Sequence, residues 1–232
     1  MGSLVGEAGV DHRRSFYGDE MGSLVVAAVD VGAPKNIGWW REHGDEPGQG
    51  GTSLDELAAL LSEDLAAGRS VALGFEAPMF IPRPASAERL NKARVGEGSS
   101  PWSGGAGTAV LASGMQQAVY VLSALAANVN ELPHVGLDVE ALARPAPSLI
   151  LWEAFVSGRA KNPLADDPHV DDARVAVAEF RRRWAGGSMS SDIADTEVTS
   201  IAGLAVLVAG LSTDTELLTR PCIVIRAPDR PR

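Results

Sequence analysis

One stretch limits what this chain can become: LVVAAVDVGAPKNIGWW, residues 24–40. Its apolar run, 24–29, stops at a single carboxylate, Asp30, and a Gly-Ala-Pro turn leads into a second apolar run, 37–40. Short apolar runs bounded by Gly and Pro predict a buried strand, a tight turn and an antiparallel return strand. A carboxylate where a core strand runs out is costly to bury unless something pairs with it or coordinates it. The rest of the chain must supply that partner. The partner expected is a divalent metal shared with other acids further on.

The 232 residues suit a single domain, expected over 21–232, and a hydrophobic share of 45% is ample for a core. Residues 1–20 carry charges throughout and no apolar secretory segment, so they read as a flexible lead-in, with Met21 an alternative start. No apolar run in the sequence approaches the roughly 20 residues that cross a bilayer, so no membrane partner is expected. The lone cysteine, Cys222, excludes an internal disulfide or a cysteine metal cluster and reads as core; a reducing, cytoplasmic setting is expected. A formal net charge of -10 argues against sequence-independent nucleic-acid binding over a broad basic face.

Beyond the hairpin the chain alternates. Residues 41–52 read as a Gly-rich loop with room for a short third strand, whose position the pattern does not place. Ser53 and Glu56 have capping-box spacing, and Leu54, Leu57, Leu61 and Leu65 continue at helical intervals to Gly68. The run VALGF at 71–75 ends in Glu76 and then Ala-Pro, so a second strand ends in an acid, as the first did. A long loop at about 79–107 concentrates Arg83, Arg89, Lys92 and Arg94, and holds Trp102, which reads as a base-stacking residue or a loop anchor. A helix is expected over 108–129. A third buried strand at 148–152 ends in Glu153, and a helix over 171–184 follows. A last helix is expected over 192–210, capped by Ser190 or Ser191, with Asp192 and Asp195 on one face of its first turn. A final edge strand falls at 222–225. His12, His43, His134 and His169 are scattered without zinc spacing and read as surface residues.

Alternating strands and helices imply an α/β sheet covered by helices, and parallel strands would bring Asp30, Glu76 and Glu153 to one edge. In this order the residues resemble the ribonuclease H-like superfamily, which includes Holliday-junction resolvases and a group of uncharacterised bacterial predicted nucleases. The resemblance rests on Asp30 ending the first hairpin strand, Glu76 ending the strand after the first helix, and the pair Asp192/Asp195. FEAP at 75–78 and LILWEAF at 149–155 are similar to the uncharacterised group. It covers most of 24–210. It implies a mixed sheet that starts with a β-hairpin, continues with alternating helices and strands, and carries helices on both faces.

The resemblance also implies hydrolysis of a phosphodiester, of nucleic acid or a nucleotide, with Mg²⁺ or Mn²⁺ as cofactor. Asp30 would be the ligand shared between two ions, with Glu76 and Asp195 holding one each. Asp192 would hold metal or orient water, and Glu153 is a further candidate ligand. Lys35, Arg83 and Lys161 are candidates to neutralise substrate phosphate. Two alternatives stay open on the same fold: a nucleotide-binding phosphotransferase-like domain, with the D-x-G turn at Asp30 approaching phosphates, and a non-catalytic binding or assembly module. The apolar last helix and the Trp-rich hairpin also suit a homodimer.

Overall fold

Every residue of β1 (Leu24–Asp30) is buried, as a continuous apolar run requires when both faces of a strand are covered. The computed structural model describes residues 24–98, 102–105, 107–144, 147–156 and 158–230; the expected lead-in lies outside them. β2 (Gly38–His43) returns antiparallel to β1, pairing Val29 with Trp39 and Asp30 with Gly38. A third strand does exist: β3 (Gln49–Gly51) pairs antiparallel with β2. α1 (Leu54–Ala66) then starts at Ser53, whose hydroxyl accepts from the Glu56 N–H at 3.3 Å, as the capping spacing predicts. It leads to β4 (Ser70–Phe75), parallel to β1.

The long loop contains structure of its own. β5 (Phe80–Pro82) pairs antiparallel with β8 (Val198–Ser200) as a separate two-stranded sheet. α2 (Thr108–Asn128) follows, then β6 (His134–Gly136) inside the expected connector. β7 (Ser148–Phe155) runs parallel to β4. α3 (Pro168–Ala185) begins three residues before the expected 171. β9 (Ile223–Arg226) completes the main sheet, whose order is β3-β2-β1-β4-β7-β6. The outer edge of β7 is shared: β6 pairs with its first half and β9 with its second, both parallel.

The protein is thus α/β with a mixed sheet. Val25, Ala27 and Val29 face one apolar cluster with residues of α1, α2 and α4 (Ile201–Val208), while Leu24, Val26 and Ala28 face a second built on α3. Helices therefore cover both faces. α2 departs from the expectation that no stretch reaches bilayer length: its 21 uncharged residues pass that test of length and composition. One stripe of it, including Gly114, Ala118 and Val121, is buried in the domain.

The last helix is a correction. It starts at Ile201 rather than 192, because Val198–Ser200 is drawn into β8 and Ser200, not Ser190 or Ser191, caps it by accepting from the Gly203 N–H at 3.0 Å. Asp192 and Asp195 consequently lie in a connector and share no helical turn.

Candidate functional site

Three carboxylates meet at the C-terminal edge of the parallel strands. Asp30 ends β1, Glu76 follows β4, and Asp172 comes from the second turn of α3. One oxygen from each lies within 4.8 Å of the other two, and all three residues are buried. The local sequence explains each placement. β1 and β4 run side by side, with Val29 opposite Phe75, so the residues that end them fall together. Asp167 caps α3 by accepting from the N–H groups of His169 and Val170, both at 3.1 Å, and Pro168 occupies the first helical turn. His169 and Asp172, three apart, then project from one face.

Gly38 allows α3 to approach. A Cβ there would stand 2.2 Å from the carbonyl carbon of His169, so only glycine lets the helix N-terminus rest on β2 directly opposite Asp30. The result is a contact across 139 residues of sequence: His169 Nδ1 lies 2.5 Å from Asp30 Oδ2. An ionised carboxylate can only accept, so against it Nδ1–H donates, and in the neutral ring Nε2 is then the acceptor.

Lys161 sits among the acids. It follows the short turn Gly158–Ala160 after β7. Its Nζ lies 2.7 Å from Glu76 Oε1, 2.6 Å from Asp172 Oδ2 and 4.0 Å from Asp30 Oδ1. Burial pushes the Glu76 carboxyl well above the ordinary carboxylate range; neighbouring Asp30 pushes it the same way, and Lys161 pulls it back. Burial also raises Asp172, against the pull of Lys161. For Lys161 itself burial favours the neutral amine, but Glu76, Asp172 and Asp30 together outweigh it and hold the ammonium above its usual range. Even so, Glu76 Oε2 and Asp172 Oδ1 are buried without a hydrogen-bond partner.

The cluster opens into a cavity of about 680 Å³, whose lining includes Asp30, Glu76, Lys161, His169, Trp102 and Arg226. Of the residues proposed from sequence, the structure brings together Asp30, Glu76 and Lys161. It does not bring the others to them. Glu153 is fully buried in an ion pair, its two oxygens 2.6 and 2.7 Å from the Arg94 guanidinium, and it also accepts from the Met79 N–H at 2.9 Å. Asp192 accepts from the Arg226 N–H and from Arg183, both at 2.7 Å, and Asp195 accepts from the Val95 N–H at 3.1 Å. Lys35 and Arg83 are exposed and do not line the cavity.

Asp172 and His169 are the residues that sequence reasoning missed. The signal for them was Asp167-Pro168, a cap followed by proline in the first turn, which places both on the first two turns of α3. No protein-family model matches this chain, and no curated protein or solved structure is significantly similar to it.

The raised Glu76 predicts a pH-dependent stability. The folded protein holds the Glu76 proton more tightly than the unfolded chain, where a glutamate titrates at about 4.3. Its unfavourable ionisation is therefore absent below that pH and grows as pH rises towards the folded value. Glu76→Gln should raise Tm by about 2–4 °C or more at pH 8, and the gain should vanish near pH 4. A gain independent of pH, or a loss at pH 8, would contradict this account of the cluster.

Proposed function

We propose that this chain is a divalent-cation-dependent phosphodiester hydrolase of ribonuclease H-like architecture, and that Asp30, Glu76 and Asp172 hold the cation. The observation that carries the reading is the pair of orphaned carboxylate oxygens, Glu76 Oε2 and Asp172 Oδ1, buried beside Asp30, in a cluster of which Asp30 and Glu76 line the cavity. Buried polar atoms are nearly always satisfied, so the two carboxylate oxygens that Lys161 leaves unpartnered point to a further positive partner. Three hard oxygen donors suit Mg²⁺ or Mn²⁺. Oxygen ligands at about 2.0–2.1 Å from a magnesium-like ion lie up to about 4.2 Å apart, close to the 4.8 Å within which these oxygens fall. The sheet order β3-β2-β1-β4-β7, with β1, β4 and β7 parallel and β2 antiparallel, supports the architecture.

Bound by these acids, a divalent ion supplies an activated water and charge neutralisation at a phosphodiester. The chain's own groups have separate tasks. Lys161 balances the acids and offers its ammonium to substrate phosphate. Asp30 orients the His169 ring through Nδ1, so that Nε2 is available to take a proton from the attacking water. Trp102 and Phe155, which meet edge to face at 4.7 Å, close the apolar side of the cavity.

The test is calorimetric titration of Mn²⁺ into the wild type and Lys161→Met. Hydrolysis of bis(p-nitrophenyl) phosphate, DNA and RNA is assayed in parallel, with and without EDTA. In the substituted protein the lysine no longer competes for the carboxylates, so cation affinity should rise at least roughly tenfold. Without cation the same protein should lose about 1–3 kcal/mol of stability, an effect reduced by solvent because the Lys161 side chain is 39% exposed. No Mn²⁺ uptake by either protein, together with no EDTA-sensitive hydrolysis, would refute the reading.

A further inference from the structure

The cavity is shaped for something smaller than a polymer. Its volume, about 680 Å³, falls among small-molecule pockets. Among the described residues its lining cations are Lys161, Arg226 and, when protonated, His169, in a chain of net charge -10. A nucleic-acid backbone gains its affinity from many neutralised phosphates, and such a lining offers few. The same lining includes two aromatic rings, Trp102 and Phe155, and the apolar Val110 and Val156.

Arg226 adds a second observation. Its guanidinium lies over the Phe155 ring, 4.6 Å from the centroid, and one terminal nitrogen donates to the Gly96 carbonyl at 2.9 Å. Its Nε is buried and has no hydrogen-bond partner. The guanidinium belongs to a residue that lines the cavity, and a charged arginine at a cavity wall suits an anion. Acids that would hold a cation, an arginine and the Trp102 ring therefore line one space. Each corresponds to a part of a single molecule: phosphate at the cation and Arg226, an aromatic base against Trp102.

We infer that the cavity binds a single nucleotide unit, a nucleoside phosphate or a small diester of one, with its base against Trp102 and its phosphate towards Lys161 and Arg226. The inference rests on the proposed hydrolase reading for the position of the phosphate; Trp102 and the Arg226 guanidinium in the cavity lining are independent of it.

The experiment compares ligands that differ only in the base. Binding of the four common nucleoside 5′-monophosphates and of ribose 5-phosphate to the wild-type protein is measured by calorimetry, once in EDTA and once in Mn²⁺. The tightest-binding nucleotide should exceed ribose 5-phosphate by about tenfold or more, the increment that base–aromatic stacking supplies. Trp102→Ala should remove that advantage and leave ribose 5-phosphate unchanged, while Trp102→Phe should keep part of it. Equal binding of nucleotide and ribose 5-phosphate, or no binding of either in both conditions, overturns the inference. So does a single-stranded 12-mer that binds more tightly than the best mononucleotide. The wild-type comparison decides the matter even if Trp102→Ala does not fold. Nucleotide selectivity without Mn²⁺ uptake or hydrolysis would remove the hydrolase reading alone. Mn²⁺-dependent hydrolysis without base selectivity would remove this inference alone.

Discussion

Arg94→Met should lower the stability of the folded protein by about 3–5 kcal/mol, measured by urea denaturation at neutral pH. The Arg94 side chain is wholly buried. Its guanidinium donates to both oxygens of Glu153, to Glu97 at 3.1 Å and to the Phe80 carbonyl at 3.3 Å, and it lies 4.6 Å from the centre of the Phe80 ring. Burial pulls its pKa down, and the two glutamates more than reverse that, so the group stays charged. With Arg94 gone, Glu153 and Glu97 remain inside without their cation. Burial, which already raises Glu153 against the pull of Arg94, would then act almost unopposed. The substituted protein should accordingly gain stability as pH falls. The double variant Arg94→Met/Glu153→Leu should recover part of the loss, because removing a whole buried pair costs far less than removing one member. A single variant that loses under about 1 kcal/mol, or a double variant whose loss equals the sum of the two singles, would show that the pair does not act as one unit.

That ion pair also shows where sequence reading reached its limit. Glu153 ends an apolar strand just as Asp30 and Glu76 end theirs, and nothing local separates a ligand from an ion-paired core acid. The difference is made by Arg94, which lies 59 residues earlier in a loop without periodicity. The spacing of Asp192 and Asp195 suits a helical first turn, but tertiary structure claims the following residues for β8 instead: Thr199 and its neighbours pair with Phe80–Pro82. β3 was hidden for another reason. Strands are recognised by β-branched and aromatic residues, but β3 is Gln-Gly-Gly. Its glycines are there because tryptophan rings lie over this strand. A Cβ on Gly50 would stand 2.5 Å from the Trp40 ring, and one on Gly51 would stand 2.8 Å from the Trp39 ring.

What the sequence did expose follows strong local rules. The hairpin, the Ser53 cap, and the two acids that end β1 and β4 come from run length, turn residues and capping spacing, and all are where those rules put them. Asp30 and Glu76 are neighbours because parallel strands carry their ends to one edge. Asp172 is their neighbour because Gly38 lets a helix begin there. The first relation can be derived from pattern; the second is a packing fact with one glycine as its trace. Aspartate at the end of β1 does find partners, as the cost of burying it requires. They are a histidine and a lysine together with two more acids.

Asp30→Asn should reduce any cation-dependent hydrolysis by about 10³-fold or more while leaving the fold intact. Asparagine has nearly the same shape, still pairs with Gly38 across the hairpin, and can still accept from His169 Nδ1. What it loses is charge. A cation ligand set of three carboxylates becomes two, and the several kcal/mol of charge stabilisation that a bound ion supplies at a phosphodiester corresponds to three or more powers of ten in rate. The same substitution should be visible without turnover. Asp30 is one of the groups that push Glu76 upward, so Asp30→Asn should bring the Glu76 carboxyl back towards the ordinary range, as read by carboxyl ¹³C shifts against pH. A structural role for Asp30 predicts the reverse combination, with lower Tm and unchanged Mn²⁺ uptake. If the Asp30→Asn protein melts within about 2–4 °C of the wild type, shifts the Glu76 titration and binds Mn²⁺ at least tenfold more weakly, the carboxylate acts as a cation ligand. If hydrolysis persists undiminished in that same protein, Asp30 is not part of the reaction, and the acids around Lys161 are an electrostatic knot in the fold.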